Sequence, residues 1–179
     1  MKKKLHIFFL VGACGTGKST LVSHLKKKHN KEGGWEFLLF SDIGLPSKEE
    51  KIKKYGSQKA WQKETIKIWI NKILTEYSDK EVIIFEGQVN LDFIKESFAK
   101  HDFSNYTIIL FDCSKKSMFN RLIEKRFQSE LATPEMNHWR ETLLEQARSH
   151  KEYIINTDNL NEEQTVKAFE KIFKESIVK

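Results

Sequence analysis

The chain has 179 residues, of which 39% are hydrophobic and 31% charged, and a formal net charge of +6. That length suits one well-cored domain and is short for two, and no apolar stretch approaches the ~18 residues that a membrane span requires. Two cysteines far apart, Cys14 and Cys113, offer neither a disulfide framework nor a CxxC metal spacing, which points to a reducing, cytoplasmic setting and to no membrane partner.

The opening twenty residues, MKKKLHIFFLVGACGTGKST, can be taken in two ways. Three lysines, an apolar run and Gly12-Ala13-Cys14 imitate an export signal cut before Cys14. The same letters spell a buried strand that enters a glycine-rich loop. The apolar run is short for a signal core and His6 interrupts its start, and a cut at Cys14 would remove the strand that the loop needs. The expectation is that residues 1 to 14 stay attached and begin the central strand.

Five short runs rich in Ile, Val, Leu and Phe predict strands at 5–11, 37–40, 82–85, 107–111 and 153–155. Between them lie segments of helical period. Residues 18–28 carry Leu21, Val22 and Leu25 on a helix that opens at the glycine loop. In 58–77, Ile66, Trp69, Ile70, Ile73, Leu74 and Tyr77 recur at three- and four-residue steps, and 162–177 repeats the pattern with Val166, Phe169, Ile172 and Phe173. Strands alternating with helices imply right-handed crossovers and a mostly parallel, three-layer α/β sheet. Internal repeats are absent, and a single domain over 1–179 is expected.

The strongest chemical signal is Gly12-Ala13-Cys14-Gly15-Thr16-Gly17-Lys18-Ser19, a complete phosphate-binding loop between a predicted strand and a predicted helix. Glycines let successive N–H groups turn inward onto phosphate oxygens, Lys18 reaches the β and γ phosphates, and Ser19 can ligate Mg2+. Thr20 backs the loop from the helix. A carboxylate on a neighbouring strand end is then expected to hold Mg2+ through water. Glu86 follows 82–85 and Asp42 follows 37–40, and in a parallel sheet both emerge at the carboxyl edge beside the loop. Each could also be an ordinary helix cap.

Lysines are scattered along the chain, as on a solvated surface, whereas the four arginines, Arg121, Arg126, Arg140 and Arg148, fall in one segment. Projected at about 100° per residue, Arg126 falls among Phe119, Leu122, Ile123 and Phe127, so a straight helix aims it at the body of the protein. Arg140 falls likewise among Met136, Trp139, Leu143, Leu144 and Ala147. An inward arginine is either an internal ion pair, with Glu86 or another acid, or a bidentate clamp on phosphate. Thr133 and Pro134 suit the cap and first turn of a helix.

With Arg121 and Arg126 on the helix that follows, the glycine loop and the two strand-end acids make the chain resemble the small P-loop kinases, a superfamily that includes adenylate, shikimate and gluconate kinases. The resemblance covers essentially the whole chain. It implies a P-loop NTPase fold with strand order 2-3-1-4-5, ATP and Mg2+ as cofactors, and a short helical lid at about 121–140 whose Arg121, Arg126 and Arg140 serve catalysis beside Lys18. It also implies that Asp42 lies near the phosphoryl acceptor and that adenine packs near Asn156-Thr157-Asp158-Asn159, with Asn156 and Asp158 as contacts. Glu86-Gly87-Gln88 departs from the glycine triplet of shikimate kinases, and the segment after Arg126 lacks the long insert of large-lid adenylate kinases.

The acceptor pocket is expected over Asp42, walled by about 42–78. Gly44 and Pro46 order its loop, Tyr55, Gln58, Trp61, Gln62 and Lys63 lie near the start of the long helix, and Gln88 and Asn90 add neutral hydrogen-bonding groups. Trp61 is either a stacking platform or core. The leading expectation is an ATP-Mg2+ phosphotransferase acting on a small polar metabolite or nucleotide. The +6 charge keeps a polynucleotide 5′-hydroxyl kinase in view, and a regulatory ATP-binding protein without transfer activity is the other alternative. A GTPase switch is disfavoured because Asn156-Thr157-Asp158-Asn159 fails the guanine-reading pattern.

Overall fold

The computed structural model describes residues 4–29 and 33–178. Lys2 and Lys3 of the opening lysine run, and the far ends of the expected 1–179 domain, lie outside the described residues. Five parallel strands, β1 (His6–Val11), β2 (Trp35–Leu39), β3 (Val82–Gly87), β4 (Tyr106–Asp112) and β5 (Tyr153–Asn156), form one sheet in the order β2-β3-β1-β4-β5. This is the order implied by the resemblance.

The sheet is covered on both faces, as parallel sheets are, and β1 shows why its sequence reads as a continuous apolar run. Ile7, Phe9 and Val11 face one core, with Ile66, Trp69, Ile70 and Ile73 of α3 (Gln58–Glu76). Phe8 and Leu10 face the other, with Leu21, Val22 and Leu25 of α1 (Lys18–His29) and Val166, Phe169 and Ile172 of the last helix, Glu162–Ile177. Side chains alternate across a strand, so a strand buried on both faces must be apolar at every position. His6 is accommodated at the strand's start because its Nε2 meets Thr107 Oγ1 at 2.8 Å, and burial pulls its pKa down toward the neutral ring.

Between β2 and α3 the chain forms a helix that the hydrophobic pattern does not show, α2 (Lys48–Tyr55), which buries no side chain. Tyr55 packs partly buried against the core and Lys51 lies over the Trp61 ring, and local chemistry sets the helix ends. Ser47 and Glu50 exchange hydrogen bonds in a capping box, and Gly56 closes the far end in the left-handed region at φ 81°. α4 (Leu91–Ala99) follows β3. After β4 come α5 (Lys115–Asn120), a widened turn at Arg121–Lys125, and α6 (Pro134–Ser149), so the last helix is α7. Thr133 caps α6 by accepting from Met136 N, with Pro134 in the first turn as expected.

The arginine segment departs from its projection. The backbone over Arg121–Lys125 is a π turn that ends with Arg126 N donating to Arg121 O, and Phe127 then takes φ 53°. The extra residue per turn shifts the phase. Ile123 and Phe127, placed on the inner stripe by a regular helix, are exposed, Phe127 to 86%, and Arg126 is exposed with them.

Candidate functional site

β1 runs straight into the glycine loop, and the backbone there is open only to glycine. A Cβ on Gly12, at φ 156°, would lie 2.4 Å from Phe111 O, and Gly15 and Gly17 also sit at positive φ. The loop closes into α1, whose first residue is Lys18. Its Nζ donates to Gly12 O and Ala13 O at 2.8 Å each, and Lys18 is 6% exposed. Burial pulls the ammonium below its ordinary value, against the opposing attraction of Glu86. Ser19 Oγ donates to Glu86 Oε1 at 2.6 Å, which brings the loop hydroxyl and the β3 carboxylate together.

These groups lie at one end of a cleft of about 950 Å3, into which Cys14, Lys18, Ser19 and Glu86 project from the loop side and Arg126 from the lid. The Arg126 guanidinium makes no hydrogen bond or ion pair among the described residues. It is therefore not the internal ion pair that was one of the two readings of an inward arginine; it lines the cleft from the solvent side, and its charge acts on Lys18.

Arg140 and Arg121 are committed elsewhere, and Arg148 is exposed near the end of α6 and outside the cleft lining. Arg140 NH1 donates to Asp112 Oδ1 at 2.9 Å and to Cys113 O at 3.2 Å, and it lies outside the cleft. The acid it finds is at the end of β4, so the expected phosphate contact gives way to an internal ion pair. Arg121 donates to Gly15 O, to Thr157 Oγ1 at 2.8 Å and to Thr157 O at 2.6 Å. It ties the glycine loop to the segment after β5 and is absent from the cleft lining.

Asp42 also differs from its expectation. It sits in the 3-10 turn Phe40–Ile43, its carboxylate accepts from Leu39 N at 3.0 Å, and it is absent from the cleft lining, whereas its neighbour Ser41 is present. Of the two strand-end acids, Asp42 is the cap and Glu86 is the one in the cleft. Asn156 and Asp158 are occupied by local structure: Asn156 Oδ1 accepts from Asp158 N, and Asp158 accepts from Ser114 N and Oγ. Burial raises the Asp158 pKa, but the hydrogen bonds from Ser117 and Ser114 outweigh it and hold the carboxyl below its usual range. Thr20 is exposed on the first turn of α1.

Sequence reasoning passed over Thr157, the residue between those two. Its hydroxyl bonds Thr16 O at 3.0 Å as well as Arg121, and its methyl packs against Gly17. No periodicity marks it, because its partners are in the loop of β1.

The far end of the cleft is walled by Phe40, Trp61, Phe93, Met136 and Trp139. Trp61 proves to be both core and wall: it is 5% exposed, meets Phe40 edge-on at 5.5 Å between centroids, and carries Lys51 Nζ over its ring at 4.2 Å. Gln58, Gln62, Gln88 and Asn90 supply amides.

Two oxygen donors, Ser19 Oγ and Glu86, beside a buried ammonium suit a small hard cation such as Mg2+ bound together with phosphate, and among the described residues no group of three His, Cys, Asp or Glu could hold a metal by itself. No helix among them is long and apolar enough to cross a membrane.

No protein-family model and no curated protein matches the sequence. Solved structures do match in fold. A shikimate kinase from Acinetobacter baumannii in complex with shikimate aligns over 98% of this chain and 96% of its own, at 15% identity and TM-score 0.63. A gluconokinase from Sinorhizobium meliloti 1021 aligns over 97% and 95%, at 11% identity and TM-score 0.65. A deoxyadenosine kinase from M. mycoides aligns over 94% and 99%, at 15% identity and TM-score 0.55. With the strand order and the glycine loop already in place, the chain has the fold of the small P-loop kinases.

Proposed function

We propose that the protein is an ATP-Mg2+-dependent phosphotransferase that phosphorylates a small polar metabolite or nucleotide. The observation that carries this is the Ser19–Glu86 contact beside buried Lys18 at the end of a cleft large enough for two substrates. Phosphoryl transfer asks for alignment and charge neutralisation more than for covalent chemistry, and this end supplies both.

The N–H groups of 12–19 and the Lys18 ammonium bind the nucleotide phosphates. Ser19 and Glu86 are the residues that would hold Mg2+, Glu86 through water, and the ion supplies neutralisation of charge on the phosphates. Arg126 brings a second cation with five donors from the lid to the same end. The acceptor hydroxyl enters from the aromatic end. Its oxygen bonds to the γ phosphorus as the bond to the β–γ bridging oxygen breaks, ADP leaves with that electron pair, and the hydroxyl proton is released to solvent. A cytoplasmic location belongs to the same proposal and agrees with two unpaired thiols.

The test is calorimetry of ATP-Mg2+ binding to wild type and Lys18→Ala, followed by acceptor-dependent ADP release over a panel of alcohols. Binding that depends on Lys18 with release on addition of one acceptor is the expected result. Equal ATP binding by the two proteins would sink the assignment. Tight binding without release for any acceptor class favours the regulatory alternative.

A further inference from the structure

The acceptor end of the cleft is more specific than its apolar walls suggest. Gln62, on α3, commits both ends of its amide to the loop after β3: Nε2 donates to Gln88 O at 2.9 Å and Oε1 accepts from Asn90 N at 3.1 Å. This two-point clamp fixes the backbone that carries Gln88 and Asn90. Each of those side chains then has one amide end engaged. Gln88 Nε2 donates to Cys14 Sγ, and Asn90 Oδ1 accepts from Asp92 N at 2.9 Å. Gln88 Oε1 and Asn90 Nδ2 make no hydrogen bond among the described residues, and both residues line the cleft. One acceptor and one donor, two residues apart on a clamped loop, are thus offered to whatever enters.

Apart from Arg126, the cleft offers an anionic ligand no arginine fork. Carboxylate and phosphate are matched best by the arginine fork, and the chain has no arginine before residue 121. Arg121 and Arg140 are bound to Thr157 and Asp112, and Arg126 stands at the phosphate end. The lysines at the acceptor end are Lys51, drawn over the Trp61 ring, and exposed Lys59. Glu135, whose carboxyl is held below its usual range by hydrogen bonds from its own backbone and Thr133, faces the same space. The rest of the wall mixes aliphatic and hydroxyl side chains with four aromatic rings, Phe40, Trp61, Phe93 and Trp139, of which Trp61 and Phe93 are each 5% exposed.

We infer that the acceptor is an uncharged alcohol bearing a flat heterocycle, of the nucleoside kind, whose ring lies against the aromatic wall while Gln88 and Asn90 read a neighbouring donor and acceptor on its edge. This rests on the phosphotransferase reading above. A rigid, neutral donor–acceptor pair recognises such an edge and leaves its own groups unsatisfied against ligands that lack it, which is how a buried polar site discriminates.

The experiment uses the full chain with ATP-Mg2+ and measures ADP release with adenosine, guanosine, cytidine and uridine, with their 5′-monophosphates, and with shikimate and gluconate. At least one nucleoside is expected to stimulate release, and the matching monophosphate and the two acids to fail. Gln88→Leu is expected to raise the KM for that nucleoside about tenfold or more, with the KM for ATP within about twofold. Asn90→Asp keeps the cap on Asp92 N and replaces the donor by an acceptor, so it tests the same point in a fold that is not at risk; a changed preference among the four nucleosides is expected. Preference for a monophosphate or an acid, unchanged nucleoside KM in both variants, or no response to any nucleoside where a monophosphate or an acid does stimulate release would each overturn the acceptor class alone, whereas ATP binding with no response to any compound would overturn it together with the phosphotransferase reading. Failure to bind ATP would overturn the phosphotransferase reading with it.

Discussion

The phosphate loop and the lid face each other across one cleft and are built to opposite standards. In the loop, Lys18 and Ser19 have partners within the chain, and Arg121 and Thr157 brace the loop from the segments after β4 and β5, with Lys18 and Thr157 buried. In the lid, the Arg126 guanidinium has no partner among the described residues, Phe127 stands in solvent at φ 53°, and Gln128 Oε1 is a buried oxygen without a hydrogen bond. Donors that are held in advance need no reorganisation when charge arrives. Groups left without partners, on backbone that costs about 1–2 kcal/mol to hold, belong to the least stable part of a structure. The contrast divides the arginines around the cleft: Arg121 and Arg140, which have internal partners, brace the scaffold, and Arg126, whose guanidinium has none among the described residues, is left facing the cleft.

The largest effect should come from the loop. Lys18→Ala is expected to lower turnover by about 10³-fold or more, since it removes a preorganised charge from the phosphate end, and single-turnover kinetics would measure it. Arg126→Lys should lower turnover by about 10²-fold while leaving the melting temperature within a degree or two, because the exposed guanidinium braces nothing. Arg140→Ala should do the reverse and destabilise the fold by about 3 kcal/mol in urea, since it leaves Asp112, 5% exposed, without its cation. If Arg126 and Arg140 exchanged these phenotypes, the division between them would be wrong.

Smaller effects sharpen the same contrast. Phe127→Gly should stabilise the protein by about 1 kcal/mol by relieving a left-handed residue that buries almost nothing. Lys18 also leaves a mark on the pH profile. Its folded-state pKa lies below the ordinary 10.5, so the unfolded chain holds this proton more tightly and stability rises with pH from the lowered value up to 10.5. Lys18→Met should flatten that part of a melting-temperature curve. The two thiols should separate as well: burial pushes Cys113 up to about 11, so a thiol reagent at neutral pH should modify one cysteine, Cys14, and ATP should slow it.

What the sequence revealed was whatever depends on neighbours in the chain. The strand of β1 and its glycine loop are contiguous, so apolar run, glycines, lysine and serine declare the fold and the phosphate end together. The strand-end acids were found for the same reason, but telling Glu86 from Asp42 needed the turn at Phe40–Ile43, where Leu39 N claims the Asp42 carboxylate. Arg126 was aimed inward by a period of 3.6 that one π turn breaks. The Gln62 clamp joins residues 26 and 28 positions apart, and Thr157 meets Thr16 across 141. No local pattern encodes such pairs, since a glutamine or threonine in isolation reads as surface.

That last separation bears on how the molecule is made. A chain emerging from the ribosome presents its phosphate-binding letters within the first twenty residues, yet two carbonyls of the loop, Gly15 O and Thr16 O, are held by Arg121 and Thr157, which are synthesised much later. The last braces of the glycine loop are therefore made only when the segments after β4 and β5 have joined the fold, so the loop closes late in chain order although its sequence comes early.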